Sequence, residues 1–521
     1  MTQTTNKTAT GRISLVGAGP GDPGLITLAG LERLRQAEVI VYDALANPEL
    51  LEYAPIDAQR IDVGKRAGQQ KLCQDEICRL LVDKAHAGKF VVRLKGGDPY
   101  LFGRGAEEAS FAARHGVECE IIAGITAGIA APMAAGIPVT HREFASSVTF
   151  VTGHEDPTKQ GSAVDYDALA RLIATGGTVC FYMGVGRLPE ISQRLQDAGL
   201  PASTPAAAVQ WGTLPRQRSV RATVKTLPRK AADAAIAAPA IIVVGQVAAI
   251  DEPGLDFFTR RPLFGKTVII TRTRQQASVL RRQLEQHGAE VIETPTIELV
   301  PPNHWDEMDQ ALRDIPSYDW LVLTSVNGVA AVEERLEALG VDSRHFSGVK
   351  IAAIGDATAE ALKKRLNIEA DLVPTRYVAE SLAGELIQGE AITGKRCLLL
   401  RADIARPALP RLLEEAGAEV TEVTAYRTRL AGRLPEDALE ALRDQRVDWV
   451  TFTSSSTAEN LVTLLKDEAD LLKHVRIASI GPITSETVRK LGYEVAVEAD
   501  VSNIDGLVDA LTAEETAEPE N

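Results

Sequence analysis

Asp98 stands just past an apolar run, Phe90-Val-Val-Arg-Leu94, behind Gly96 and Gly97 and ahead of Pro99, Gly103 and Gly105. A carboxylate there accepts from hydroxyl or amino donors and disfavours phosphate. Open α/β sheets bind ligands outside the carboxyl ends of their strands, and glycine lets backbone approach a ligand closely. The chemistry expected is capture of a nucleoside-like cofactor without an essential phosphate contact. The plain alternative is a strand-to-helix turn. A second acid, Asp43, ends the run Glu38-Val-Ile-Val-Tyr-Asp43, and Lys65 lies in Val63-Gly-Lys-Arg-Ala-Gly68. By residue type alone, Asp43 reads as a strand-end cap and Lys65 as a solvated charge.

The elements that must hold these residues begin with a buried strand, Arg12 to Val16, and the loop Gly17-Ala-Gly-Pro-Gly-Asp-Pro-Gly24. A helix is expected from about Leu25 to Gln36. Gly19, Gly21 and Gly24 satisfy a dinucleotide fingerprint, with Asp43 at the expected distance. Pro20 and Pro23 argue against that reading, because proline removes the N–H donors a pyrophosphate needs. Ile121 to Val139 carries no charge, yet three glycines, two prolines and much alanine make it a poor membrane span. A strand from Cys119 to Ile122, a turn, and a helix capped by Thr126 explain it better.

The 521 residues allow two to four domains. Apolar content of 45% and charged content of 24% fit a globular protein in water. A net charge of -15 argues against nucleic-acid or anionic-membrane binding, while leaving room for a local basic pocket. The five scattered cysteines form no CxxC pair, which points to a reducing compartment and away from a zinc site. The residues from Met1 to Thr10 lack a signal-peptide core.

Further along come Ala123-Gly-Ile-Thr-Ala127, Gly136-Ile-Pro-Val-Thr-His-Arg142, Val151-Thr-Gly-His154, Phe181-Tyr-Met-Gly184, Val209-Gln-Trp-Gly-Thr213 and Ala240-Ile-Ile-Val-Val-Gly245. With the glycine loops, this ordered set over residues 11–255 resembles the tetrapyrrole methylases, most closely uroporphyrinogen-III C-methyltransferase. The resemblance implies that Pro20, Gly96, Gly97, Asp98, Leu101, Thr126, Ala127, Met183 and Gly212 hold S-adenosylmethionine. It also implies that Asp43 and Lys65 are proton acceptor and proton donor. His141, Arg142 and His154 are candidates for macrocycle carboxylates, and no metal is expected.

The rest of the chain contains an internal repeat. Gly265-Lys-Thr-Val-Ile-Ile-Thr-Arg272 aligns with Gly394-Lys-Arg-Cys-Leu-Leu-Leu-Arg401, and Trp320-Leu-Val-Leu-Thr-Ser325 with Trp449-Val-Thr-Phe-Thr-Ser454. Ile351-Ala-Ala-Ile-Gly355 aligns with Ile477-Ala-Ser-Ile-Gly481. Two similar α/β lobes with parallel sheets are expected. Four strand ends open helices, at Ser325, Ser454, Gly355 to Thr358 and Gly481 to Thr484. They are either anion-ready ends or ordinary caps. Residues 264–513 resemble uroporphyrinogen-III synthase. That resemblance implies a lobe from 265–298 plus 431–513, another from 301–426, a two-stranded linker and an active site in the cleft. Tyr426 becomes the candidate for assisting departure of a hydroxyl, or else a buried linker tyrosine. Ser325, Ser454, Thr484, Arg272 and Arg401 are candidate carboxylate contacts, solvated surface arginines being the bland reading for the last two.

The expected whole is α/β throughout: a tetrapyrrole-methylase fold of two α/β subdomains, a linker at 256–263, a two-lobed synthase fold and a disordered acidic tail at 514–521. Its expected work is to cyclise hydroxymethylbilane to uroporphyrinogen III and methylate that product at C2 and C7 to precorrin-2. The rival is a methylase of another precorrin with a non-catalytic tetrapyrrole-binding lobe pair. The first half needs S-adenosylmethionine and the second needs no cofactor. Methylase motifs begin at residue 12, so a separate precorrin-2 dehydrogenase/chelatase is expected downstream. A cytoplasmic homodimer joined through the methylase half completes the expectation.

Overall fold

The computed structural model describes residues 11–64, 72–154, 164–252, 254–271, 274–376, 378–389 and 392–517, without the side chains of 274–278. Twenty strands among them form four five-stranded sheets.

The first sheet takes β1 (Arg12–Gly17), β2 (Val39–Tyr42), β3 (Gln59–Asp62), β4 (Phe90–Lys95) and β5 (Glu118–Ile122) in the order β3-β2-β4-β1-β5. All its pairings are parallel. The central strand β4 is buried along its whole length, charged residues included. Such a strand must be covered on both faces, which favours apolar residues along it. Clusters around Leu81 and Leu34 cover the two faces.

The helix after β1 begins at Leu28, not Leu25, with Thr27 as its cap. Pro23 to Leu25 form a separate 3-10 turn, because Asp22 caps that turn by accepting from the Gly24 N–H at 2.7 Å. The uncharged stretch after β5 folds into a turn and the eight-residue helix Ala127–Ala134. Among the described residues no helix is long and apolar enough to cross a membrane.

The second sheet holds β6 (Ser147–Thr152), β7 (Gly177–Tyr182), β8 (Pro205–Gln210), β9 (Arg218–Thr223) and β10 (Ala240–Val244) in the order β6-β7-β10-β8-β9. Only β6 and β7 pair in parallel; the rest is antiparallel. The following stretch is packed: Phe258 and Leu263 are buried, and the Arg261 guanidinium lies 4.5 Å from the Phe258 ring centroid.

The later strands are β11 (Thr267–Ile270), β12 (Glu290–Glu293), β13 (Ile297–Val300), β14 (Trp320–Leu323), β15 (Lys350–Ala353), β16 (Arg396–Ala402), β17 (Glu419–Leu430), β18 (Trp449–Phe452), β19 (Arg476–Ser479) and β20 (Val497–Glu498). One sheet runs β12-β11-β18-β19-β20 and the other β13-β17-β16-β14-β15. β13 pairs antiparallel with the end of β17, Ile297 opposite Leu430 and Val300 opposite Arg427.

The last helix, Ile504–Thr516, carries order past Glu514, where composition suggested a tail. Leu507, Val508 and Leu511 bury its apolar face, and the Glu515 carboxylate meets Lys266 at 2.9 Å. The chain divides into two compact units, residues 1–268 with 280–291 and 508–521, and residues 269–279 with 292–507.

Candidate functional site

Two glycine loops meet at the carboxyl ends of β1 and β4. The Gly97 N–H donates to the Gly19 carbonyl at 2.7 Å, and the Gly19 N–H donates back to Gly97 at 3.3 Å. A Cβ on Gly17 would stand 2.4 Å from the Gly124 Cα, and one on Gly124 would stand 2.2 Å from the Gly97 oxygen. Most of these glycines therefore let backbone approach backbone. Gly97 differs: its φ is +69°, and a Cβ there would meet nothing within 4 Å. Asp98 is largely occupied by the fold. One carboxylate oxygen accepts from the Tyr100 N–H at 2.8 Å and the other from the Gly124 N–H at 2.9 Å.

Thr126 begins the helix Ala127–Ala134 but does not cap it with its own side chain. The Tyr182 phenol does so from the end of β7. It accepts from the Gly128 N–H at 2.6 Å and shares a 2.6 Å hydrogen bond with the Thr126 hydroxyl. A Thr hydroxyl committed to Tyr182 is unavailable to its own helix. Phe102 packs on the same ring, centroid to centroid at 5.0 Å. Gly212 fits against Ala131, where a Cβ would come within 2.3 Å of the alanine Cβ. The Asp22 N–H donates to the Thr213 hydroxyl at 3.1 Å. Thus Pro20, Gly96, Gly97, Asp98, Leu101, Thr126 and Ala127 lie on the loops of the first sheet. Met183 and Gly212 come from the second, and Tyr182, Thr213 and Ala131 join the two.

Five of the nine non-glycine residues with positive φ among the described residues belong to these loops: Phe102, Arg104, Met183, Trp211 and Thr213. For a β-branched residue such as Thr213, at φ +75°, that conformation is an outlier. Strain of this kind persists where the surroundings hold it, and it gathers at ligand sites. Met183 also leaves a large apolar side chain 52% exposed.

Asp43 is partly buried and takes a hydrogen bond from Arg93 at 3.3 Å. Arg93 is itself buried and donates to the Val41 and Leu94 carbonyls. Behind it, one Glu108 oxygen receives Lys95 at 2.9 Å, Gln74 at 3.0 Å and Arg93 at 3.5 Å. Burial, and then the neighbouring Arg93 charge, pull the Lys95 ammonium below its ordinary range. This network escaped sequence reading, although Arg93 and Lys95 are uncommon residues for a central strand. Lys65 lies outside the described residues.

The His141 ring stacks on Phe144 at 4.9 Å and its Nδ1 accepts from the Glu143 N–H. Arg142 and His154 are exposed. Among the described residues, no hydrogen bond, ion pair or ring contact joins these three to the loops above.

In the second unit, Ser325 caps the helix Val326–Leu339, accepting from the Gly328 N–H at 3.0 Å, and receives the Tyr426 hydroxyl at 3.1 Å. Ser454 caps Ser455–Leu465, and Thr484 is buried in the first turn of Pro482–Lys490. The helix after β15 opens on Asp356, whose charge works against an anion there. Not all four helix starts are alike, then. Arg401 is no solvated arginine: it is 4% exposed, pairs with Glu422 at 3.1 Å and donates to the Arg406 carbonyl. Arg272 lies outside the described residues.

Comparison with known proteins places this geometry. Residues 12–228 match the tetrapyrrole (corrin/porphyrin) methylases, and residues 278–509 match uroporphyrinogen-III synthase HemD. The chain is 36% identical over 505 residues to the porphyrin biosynthesis protein HemD of Ruminiclostridium josui, covering 96% of this chain and 97% of that one. It is 41% identical over 357 residues to the uroporphyrinogen-III C-methyltransferase of Bacillus subtilis, covering 68% and 72%. It is 48% identical over 237 residues to an S-adenosyl-L-methionine-dependent uroporphyrinogen III methyltransferase of Methanosarcina barkeri, covering 46% and 92%. A solved uroporphyrin-III C-methyl transferase from Thermus thermophilus aligns with a TM-score of 0.39 at 37% identity, over 46% of this chain and all of that one. Methylase sequence in the first half and synthase sequence in the second run along a relative matched almost end to end, so the chain belongs to the family of fused tetrapyrrole methylases and uroporphyrinogen-III synthases, enzymes of tetrapyrrole biosynthesis.

Proposed function

We propose that the second half closes hydroxymethylbilane to uroporphyrinogen III with inversion of ring D, and that the first half methylates that product at C2 and C7 to precorrin-2. The observation that carries the methylase reading is that the Tyr182–Thr126 and Asp22–Thr213 hydrogen bonds tie the loops of the two sheets together beside Met183 and Gly212, with open space at the Gly97 Cβ position. Those residues fit S-adenosylmethionine, which supplies an electrophilic sulfonium methyl. Backbone groups of the loops hold the nucleoside, and Met183 offers an apolar wall. Asp43, kept beside Arg93, takes the proton lost from the macrocycle after carbon attack, and Lys65 donates. Positioning and electrostatics account for most of the work asked of the chain.

In the synthase half, the Tyr426 hydroxyl assists departure of the bilane hydroxyl, with Ser325 holding it in place. Ser454 and Thr484 meet substrate carboxylates, and no cofactor takes part. We assign residues 11–255 to the methylase and 264–513 to the synthase. The chain works in the cytoplasm, a reading its five free thiols support. It pairs with a second copy through the methylase half, and a separate protein oxidises precorrin-2 and inserts metal. Exposed apolar residues support the pairing: Ile129 and Met133, one turn apart on the helix Ala127–Ala134, are 47% and 43% exposed, and Ile121 and Ile125 before it are each 36% exposed.

Anaerobic incubation with hydroxymethylbilane, with and without S-adenosylmethionine, tests both activities. Uroporphyrinogen III alone, then a dimethylated product with the donor, is the expected result. Uroporphyrinogen I in place of III would leave the second half a binding module.

A further inference from the structure

Residues 280–291 fall in the synthase sequence, yet they pack within the same compact unit as the methylase loops. The stretch comprises the end of the helix Arg274–Gln286, a turn, and the start of β12. The packed stretch before β11 holds it: the Leu263 N–H donates to the His287 carbonyl at 2.9 Å, and Gly288 sits against Arg261 and Phe264, where no Cβ would fit.

From this stretch two side chains reach segments that touch the methyl-donor loops. Arg281, 13% exposed, forms an ion pair with Glu49, a second with Glu52 at 3.6 Å and a third with Glu285 at 2.8 Å. Glu49 opens the 3-10 turn Pro48–Tyr53, whose cap Asn47 donates to the Gly21 carbonyl at 2.9 Å. Gly21 lies between Pro20 and Asp22, and the Asp22 N–H holds Thr213. On the other side, Glu290 meets Arg216 at 3.3 Å, and the Arg216 guanidinium lies 4.3 Å from the centroid of the Trp211 ring. Trp211 and Thr213 are two of the strained residues flanking Gly212. Both routes end on loops joined by the Asp22–Thr213 hydrogen bond. The Glu290–Arg216 pair is exposed and weak; the Arg281 cluster is the sheltered one.

We propose that residues 280–291 brace the methyl-donor site, with Arg281 as its positioning residue, so that a piece of synthase sequence sets the donor affinity of the methylase. The brace rests on the reading of these loops as the S-adenosylmethionine site.

The full-length wild type, Arg281→Ala, Arg281→Lys and Glu290→Ala are titrated calorimetrically with S-adenosylhomocysteine. Methylation of uroporphyrinogen III and closure of hydroxymethylbilane are measured alongside. Arg281→Ala is expected to weaken nucleoside binding and raise the donor KM on the order of fivefold, with ring closure unchanged. Arg281→Lys recovers part of the loss, and Glu290→Ala, on an exposed pair that the fold does not need, gives about a twofold loss. Unchanged binding in folded Arg281→Ala overturns the brace, as does an equal fall in both activities, which marks general destabilisation. Should Arg281→Ala not fold, unchanged binding in Glu290→Ala overturns it instead. A wild type that methylates nothing and binds no S-adenosylhomocysteine refutes the site and the brace together.

Discussion

At the residue scale, the Tyr182 hydroxyl does three jobs with one oxygen. It closes the helix start at Gly128, holds Thr126 and ties the second sheet to the first. Burial raises its pKa above the ordinary phenol value, so it stays protonated at any working pH. Tyr182→Phe leaves the Gly128 N–H without its partner. The expected cost is about 1–2 kcal/mol in denaturant unfolding, together with weaker S-adenosylhomocysteine binding; a variant matching wild type in both removes the phenol from the site. Glu108 is the second such residue. Its removal strands Lys95 in the interior and leaves Arg93 with Asp43 as its one carboxylate partner among the described residues, and breaking a buried pair of this kind costs about 3–5 kcal/mol. Glu108→Ala is therefore expected to lower the urea midpoint sharply, and a loss below about 1 kcal/mol would mean that water reaches the two cations. Tyr426→Phe removes the hydroxyl that meets Ser325. Its expected effect is a fall of about a hundredfold in hydroxymethylbilane closure, read against spontaneous formation of uroporphyrinogen I.

At the scale of elements, glycine decides how near two loops can lie. Gly212→Ala drives a methyl into Ala131 of the helix Ala127–Ala134. Overpacking of this kind costs about 1–3 kcal/mol, and here it also pushes the Trp211–Thr213 loop from its strained conformation. Donor affinity should fall further than stability; a Gly212→Ala chain with wild-type affinity would show that the loop tolerates displacement. The 3-10 turn Pro48–Tyr53 responds to pH. Burial and the Glu285 charge push the Glu49 carboxyl up to about 7, against the pull of Arg281, while Glu52 pushes the same way as Glu285. An unfolded Glu49 titrates near 4.5. Between those values the folded chain holds a proton that the unfolded chain has released, so this contribution to stability is lost as pH rises through about 7. Relative to Glu49→Gln, the wild type should lose urea resistance from about pH 5 to about pH 8. A constant difference across that range would mean that Glu49 stays ionised throughout.

At the scale of the molecule, the proposed pairing of two copies is tested at the exposed apolar residues between Ile121 and Met133. Ile129→Asp should convert a dimer into a monomer in light scattering without unfolding it, and a variant that stays dimeric places the interface elsewhere.

Local and periodic features were legible in the order of residues. Apolar runs ending in Gly-Gly-Asp-Pro or Thr-Ser marked where strands stop and loops begin, the repeat marked two similar lobes, and the ordered motifs marked the families. Turn chemistry, alternation and spacing lie within a few residues of one another, so they survive in a string of letters. Finer placement did not survive. Thr126 looked like its own helix cap until Tyr182, 56 residues away, took the position. Arg401 read as a carboxylate contact or a surface charge, and the fold buries it against Glu422 of the neighbouring strand. The Arg93–Lys95–Glu108 network and the Arg281 cluster depend on side chains meeting across sheets and helices. These follow from the fold, because the energy of a buried charge or hydroxyl is set by whatever partner the folded chain brings to it.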